Sequence, residues 1–308
     1  MLTGNIAHWL SAKQIRYERN HPLKHHTTYQ VGGRAALAVF PDTLRELIMT
    51  TAFCRRLGIN PFILGGGANV IVSDDGLPGI TILTGRLNRL RLAGGFVEAE
   101  CGVTLEQLAV FAADHGLAGF SFLYDIPGSI GGSLIMNAGN NHGEMSHICD
   151  RTTVLERDNR VRTYPAVLAE FGYRTSRFRQ DGSLILSARF RPRARSRTCT
   201  LHHLNEQIRR ERWSKFPMEF PNGGSVFKRP SGDYAGRLIE VCGCGGMRVG
   251  DAELSRKHHG FIVNLGNATA TDVRALIGQI QDKVHQQTGV LLEREQIYLP
   301  EDVNTQDH

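Results

Sequence analysis

Phe120–Gly143, FSFLYDIPGSIGGSLIMNAGNNHG, is the stretch on which the reading of this chain turns. Two small-residue clusters stand in it, Pro127-Gly128-Ser129-Ile130-Gly131-Gly132 and Asn137-Ala138-Gly139. Glycine opens positive φ and lets a ligand approach the main chain, because no Cβ stands in the way. Successive N–H groups in such turns make a concave anion site. The apolar residues around the clusters argue against a flexible Gly/Ser linker. On glycines alone, a pair of tight turns in a β-rich core is an equal alternative.

The chain has 308 residues, enough for two domains. With 41% hydrophobic and 21% charged residues, its composition is that of an ordinary globular protein. No apolar run reaches membrane-spanning length, and the N-terminus lacks the pattern of a secretory signal. Six scattered cysteines read as free thiols in a reducing cytoplasm, with no zinc spacing among them. The pairs His25-His26, His202-His203 and His258-His259 point their rings apart on a regular element, so no metal site is expected.

The formal net charge of +6 favours anionic partners, from phosphorylated small molecules to nucleic acid. Arg189, Arg191, Arg193, Arg195 and Arg197 recur at spacing two, which predicts one face of a solvated edge strand. Only Phe190 interleaves an aromatic, so nucleic-acid binding is not expected.

Outward from the glycine-rich stretch, the pattern alternates short strands with helices. Residues 1–20 read as a helix carrying Ile6, Trp9, Leu10 and Ile15. Asp42 or Thr43 caps a helix ending at Gly58, and Thr104 starts another. Gly65-Gly66-Gly67-Ala68-Asn69 lies between two strands and has no lysine, so it is neither a dinucleotide fingerprint nor a P-loop. Asp158-Asn159 turns a hairpin. Thr271–Gln286 is an amphipathic helix, Val290–Tyr298 the last strand, and the tail after Pro300 is loose. The composition change at residues 192–198 sets a domain boundary.

TTYQVGG (27–33), LGGGANVIVSD (64–74), IPGSIGGSLIMNAG (126–139), YRTS (173–176), GGSVFKRP (223–230), AGRLIE (235–240), SRKHHGFIVN (255–264) and LEREQI (292–297) follow in one order. That order resembles the UDP-N-acetylenolpyruvoylglucosamine reductase family, in its shorter form, over roughly residues 20–298. The resemblance implies an α+β protein. A two-part FAD-binding domain of the vanillyl-alcohol-oxidase type would span residues 1–195, in lobes of about 20–85 and 86–195. A C-terminal α+β substrate-binding domain would span 196–308. FAD, held non-covalently, would be reduced by NADPH as co-substrate, and a UDP-sugar would be the small-molecule substrate. The resemblance implies no nucleic acid, membrane or obligatory protein partner, and a cytoplasmic enzyme.

It also implies site residues. Gly65, Gly66, Gly67, Ala68, Asn69, Pro127, Gly128, Ser129, Gly131, Gly132, Asn137, Ala138 and Gly139 match flavin-binding positions. Arg174 matches a carboxylate clamp, Ser225 a proton donor and Glu295 an enolate stabiliser, with Glu293 its rival two residues away. Tyr173, Asn222, Lys228 and Arg229 match substrate contacts. The family often has Asn where Arg229 stands and usually Val where Gln296 stands. Two alternatives stay open at this stage. One is another flavin oxidase or reductase of the same superfamily, with His142 or His147 as a conceivable covalent link. The other is a non-enzymatic anion or nucleic-acid binder.

Overall fold

The computed structural model describes residues 2–304. The chain divides into two compact units. The first comprises Met1–Glu18, Leu37–Gly66 and Gly79–Glu211, the second Arg19–Ala36, Gly67–Pro78 and Arg212–His308. No helix among the described residues is long and apolar enough to cross a membrane.

In the first unit, a five-stranded sheet runs in the order Val161–Pro165, Cys149–Leu155, Leu184–Phe190, Phe96–Glu100, Leu90–Ala93, all neighbours antiparallel. Its first hairpin closes as the Asp158-Asn159 pair predicts. Leu155 faces Val161 and Asn159 takes φ +65°. In the same unit Phe62–Leu64 pairs in parallel with Thr81–Leu83.

The two predicted helix starts hold. Thr43 accepts a hydrogen bond from the Glu46 amide, and Thr104 forms a full capping box with Gln107 at the head of Leu105–Asp114. Leu105, Leu108, Ala109 and Ala112 enter the core from that helix.

Three expectations are corrected here. The N-terminal helix covers Leu2–Ala12, not residues 1–20, and Arg16–Pro22 is a strand. Gln14 takes φ +56° and the Ile15 amide bonds back to Leu10 O at 3.0 Å, a left-handed termination that reverses the chain. Ile15 stays buried, so apolar spacing carried on past the point where the backbone turned. The arginine run is not an edge strand either. Arg189 lies in an internal strand, and Arg189, Arg191 and Arg151 all bond the Asp150 carboxylate. Burial works against the Asp150 charge, but those three guanidinium bonds outweigh it and hold the carboxyl below its usual range. Finally, Phe120–Gly143 is more than paired turns, since Ile130–Ile135 forms a helix that takes in the end of the first glycine cluster.

The second unit is built on the Ala270–Thr288 helix. It buries Val273, Leu276, Ile277, Ile280 and Val284, begins with a Thr269–Asp272 capping box and ends at Gly289, φ 72°. The Asp74 carboxylate accepts from the Ala270 and Thr271 amides, both at 2.8 Å. That puts an anion at the positive end of the helix dipole. An antiparallel sheet orders Asn222–Ser225, Phe261–Asn264, Ala252–Leu254 and Arg248–Val249. The expected strand over Val290–Tyr298 shrinks to Ile297–Leu299, parallel to Val70–Val72. The segment after Pro300 holds a helical turn, Glu301–Asn304, and residues 305–308 of the tail lie outside the described residues.

Thr104→Ala removes the side-chain half of the capping box in the first unit. It is expected to lower stability by about 1 kcal/mol, read as a shift in the urea unfolding midpoint at unchanged slope.

Candidate active site

In the first unit the glycine loops lie main chain against main chain. Gly65-Gly66 leaves the Phe62–Leu64 strand, and the Gly66 amide donates to Ser129 Oγ at 3.2 Å. A Cβ on Gly66 would stand 2.7 Å from Gly128 Cα and 2.9 Å from the Ser129 nitrogen. Backbone atoms cannot swing aside as a side-chain tip can, so only glycine fits there. Gly128 itself takes φ +133°. Ser129 stays extended (φ −111°, ψ 160°) and leads into the Ile130–Ile135 helix. The Ile130 and Gly131 amides bond Val103 O at 2.8 Å and Cys101 O at 2.9 Å. Pro127 and Gly132 are exposed.

The donor set of Gly65-Gly66 and Pro127–Gly132 is main-chain amides with one hydroxyl and no basic side chain. Such a neutral cradle fits the diphosphate of a dinucleotide, whose charge is met by oriented peptide dipoles.

Asn137 is a strut rather than an open donor. It is 1% exposed at φ +45°; its Nδ2 donates to Gly172 O at 3.1 Å and its Oδ1 accepts from the Ser146 amide at 3.0 Å. Ala138 donates to Ser133 O at 2.8 Å and its own carbonyl accepts from Met145. At Gly139 a Cβ would meet Gly143 O at 2.5 Å.

Gly172 opens the turn that carries Arg174. Gly172 and Thr175 bridge each other, and Arg174 sits at φ +56°. A non-glycine residue there is strained by roughly 1–3 kcal/mol, so the surroundings must hold it. They do so twice: Asn137 grips the Gly172 carbonyl, and Arg179 Nη1 grips the Arg174 carbonyl at 3.0 Å. Tyr173 is 58% exposed, with the Arg174 guanidinium 5.3 Å from its ring centre.

Glu144 belongs to the same neighbourhood. Burial works against its charge. The Ser146 hydroxyl, the Asn137 amide and, beside them, His147 and the Arg174 guanidinium outweigh that, holding the carboxyl below its usual range.

The second unit holds Ser225 and Glu295 on adjoining segments. Ser225 ends the Asn222–Ser225 strand opposite Phe261, and the Val226 amide donates to Gly260 O at 2.9 Å. On its other side the chain meets residues 293–295. The Glu295 amide donates to Val226 O and the Lys228 amide to Glu293 O, both at 2.8 Å, with Phe227 bridging Arg294. The two segments therefore run antiparallel, and residues far apart in sequence become neighbours.

Lys228 pairs its ammonium with the Glu293 carboxylate, the rival of Glu295. The Arg229 guanidinium stacks 4.0 Å from the centre of the Tyr234 ring. Asn222 is buried and used locally, donating to Phe220 O at 2.9 Å and accepting from the Gly224 amide at 3.0 Å. Gly67 takes φ +61°, and a Cβ on it would lie 2.8 Å from the His26 carbonyl carbon. Ala68 is half-buried. Asn69 Nδ2 donates to Glu295 O at 3.2 Å, and Asn69 O accepts from Ile297.

Arg174 belongs to the first unit, and Ser225 and Glu295 to the second. Glu144 and Arg179 carry parts of this geometry that sequence reading did not assign.

Asn137→Ala would take the acceptor from the part-buried Ser146 amide and one of two donors from the Gly172 carbonyl. It is expected to cost about 1–3 kcal/mol, measured by urea unfolding.

Comparison with known proteins finds two families along the chain. Residues 35–164 match the family described as FAD binding domain, and residues 216–299 the C-terminal domain of UDP-N-acetylenolpyruvoylglucosamine reductase. The reductase of that name from Caldicellulosiruptor bescii is 39% identical over 289 residues, 93% of this chain and 92% of the relative. The one from Streptococcus suis is 39% identical over 93% of this chain and 94% of its own. The crystal structure of the Thermus caldophilus reductase superposes with a TM-score of 0.78 at 33% identity, covering 93% of this chain and all of that one. The chain belongs to the UDP-N-acetylenolpyruvoylglucosamine reductase family.

Proposed function

We propose that this chain reduces the enolpyruvyl ether of UDP-N-acetylglucosamine enolpyruvate to UDP-N-acetylmuramate, with NADPH as the electron source, in bacterial peptidoglycan precursor synthesis. The observation that carries the reading is the likeness to reductases of that name across nearly the whole chain. FAD, when bound, supplies hydride carriage between NADPH and the substrate. Gly65, Gly66, Gly128, Ser129 and their neighbours would hold its diphosphate through main-chain amides.

The chain's own groups do the rest. Hydride arriving at the methylene carbon of the enolpyruvyl group leaves negative charge on the adjacent carbon and its carboxylate. Arg174, whose planar fork matches a carboxylate, binds and neutralises that charge. The grips of Asn137 and Arg179 on its turn support this role, because a clamp held in a strained conformation is pre-oriented. Ser225 donates the proton to the charged carbon. Glu295, as a protonated carboxyl, hydrogen-bonds the developing enolate.

Glu293 pairs its carboxylate with the Lys228 ammonium, so Lys228 exchanges one anion for another if it takes a substrate phosphate. Tyr173, Asn222 and Arg229 complete the proposed substrate contacts, with Asn222 acting through the loop it braces. In functional terms residues 1–195 carry the flavin and 196–308 the substrate. The same reading places the enzyme in the cytoplasm and requires no nucleic-acid, membrane or obligatory protein partner.

Purified protein is expected to be yellow, with a flavin spectrum that bleaches on adding NADPH and recovers on adding the enolpyruvyl sugar nucleotide. A colourless protein that accepts no FAD would overturn the reading. Ser225→Ala should leave bleaching by NADPH near the wild-type rate and slow recovery roughly 10²–10⁴-fold. If bleaching were lost instead, the proton-donor role would be wrong.

A further inference from the structure

Tyr29 and Gln296 meet in the interior of the second unit, 0% and 1% exposed, with the Tyr29 hydroxyl 3.2 Å from Gln296 Oε1 and 3.1 Å from Nε2. Gln296 Nε2 also donates to Gly223 O at 3.0 Å. Gln296 follows Glu295 directly, and Gly223 stands two residues before Ser225. One side-chain amide therefore ties the segment of the proposed proton donor to that of the proposed enolate stabiliser.

Tyr29 is fixed from several directions. Its carbonyl accepts from Asn264 Nδ2 at 2.9 Å, and Asn264 ends the strand that pairs with Asn222–Ser225. Its ring lies so close to Gly223 that a Cβ there would stand 2.7 Å from Cδ2 of the ring. Burial pushes the phenol well above its ordinary range, with the Gln296 bond working against the rise, so the hydroxyl keeps its proton at any working pH. Sliding the Ser225 segment against the Glu295 segment would break hydrogen bonds between fully buried groups, which is costly.

We infer that the Tyr29–Gln296–Gly223 contact is a clasp that sets the spacing of Ser225 and Glu295, making Tyr29 and Gln296 positioning residues for proton delivery. The inference rests on the proposed reaction and adds to it two residues that touch neither substrate nor cofactor. Misplacing a reacting group by about 1 Å can cost on the order of 10²-fold in rate. A lost clasp should therefore slow the step that needs both groups and spare the one that needs neither.

The test uses the FAD-loaded enzyme and follows flavin absorbance by stopped flow, with NADPH and then with the enolpyruvyl sugar nucleotide. Tyr29→Phe removes one oxygen and keeps the ring. It should leave bleaching by NADPH within about twofold and slow recovery by roughly 10–100-fold, with half-saturation by the sugar nucleotide little changed. Gln296→Val should act in the same direction. The double variant should be no slower than the slower single one, because both cut the same clasp.

Parallel slowing of both half-reactions, an unchanged recovery rate, or losses that multiply in the double variant would each overturn the inference. Should Gln296→Val fail to fold, Tyr29→Phe still decides between these outcomes by its half-reaction split. A wild-type enzyme whose flavin recovers no colour with the sugar nucleotide would sink the proposed reaction itself, a distinct failure.

Discussion

Main chain packed against main chain is the constraint on which both units rest. Gly66 lies against Gly128 in the first unit, and Gly67 against His26 and Thr27 in the second. Each approach is closer than any Cβ allows, so the loops are specified by the absence of a side chain. The consequence is chemical as well as steric. Loops brought together in this way expose peptide dipoles and few charges, and a dinucleotide diphosphate can be met without lysine or arginine. The basic residues are then available for other work. Arg151, Arg189 and Arg191 neutralise a single Asp150.

A second theme is that chemically important groups are held through their backbones. Arg174 occupies a strained left-handed conformation because Asn137 and Arg179 grip the carbonyls of its turn. Glu295 is fixed through its amide by Val226 and through its carbonyl by Asn69.

The motif order and the caps were legible from sequence because they depend on short-range chemistry. Thr43 with Glu46, Thr104 with Gln107, and the Asp158-Asn159 turn are decided within three or four residues. The arginine run was misread for the converse reason. Spacing two correctly puts Arg189 on a strand, but nothing near it in sequence says that Asp150 would face it across the sheet. The N-terminal helix was overextended because apolar periodicity continues through Ile15 while Gln14 reverses the backbone. A spacing of two left Glu293 and Glu295 as rivals, and only the fold shows that Glu293 pairs with Lys228.

What the order of residues settled, then, is which segments exist, which loops must be glycine, and which family the motifs belong to. These follow from backbone freedom and side-chain chemistry local to each segment. Folding alone determined that residues 225–228 run beside residues 293–295, that Asn137 braces the turn of Arg174, and that Tyr29 reaches Gln296 across more than two hundred residues of chain. Those pairings depend on which buried polar atoms come within hydrogen-bond reach once the cores close, and no spacing along the chain encodes that distance.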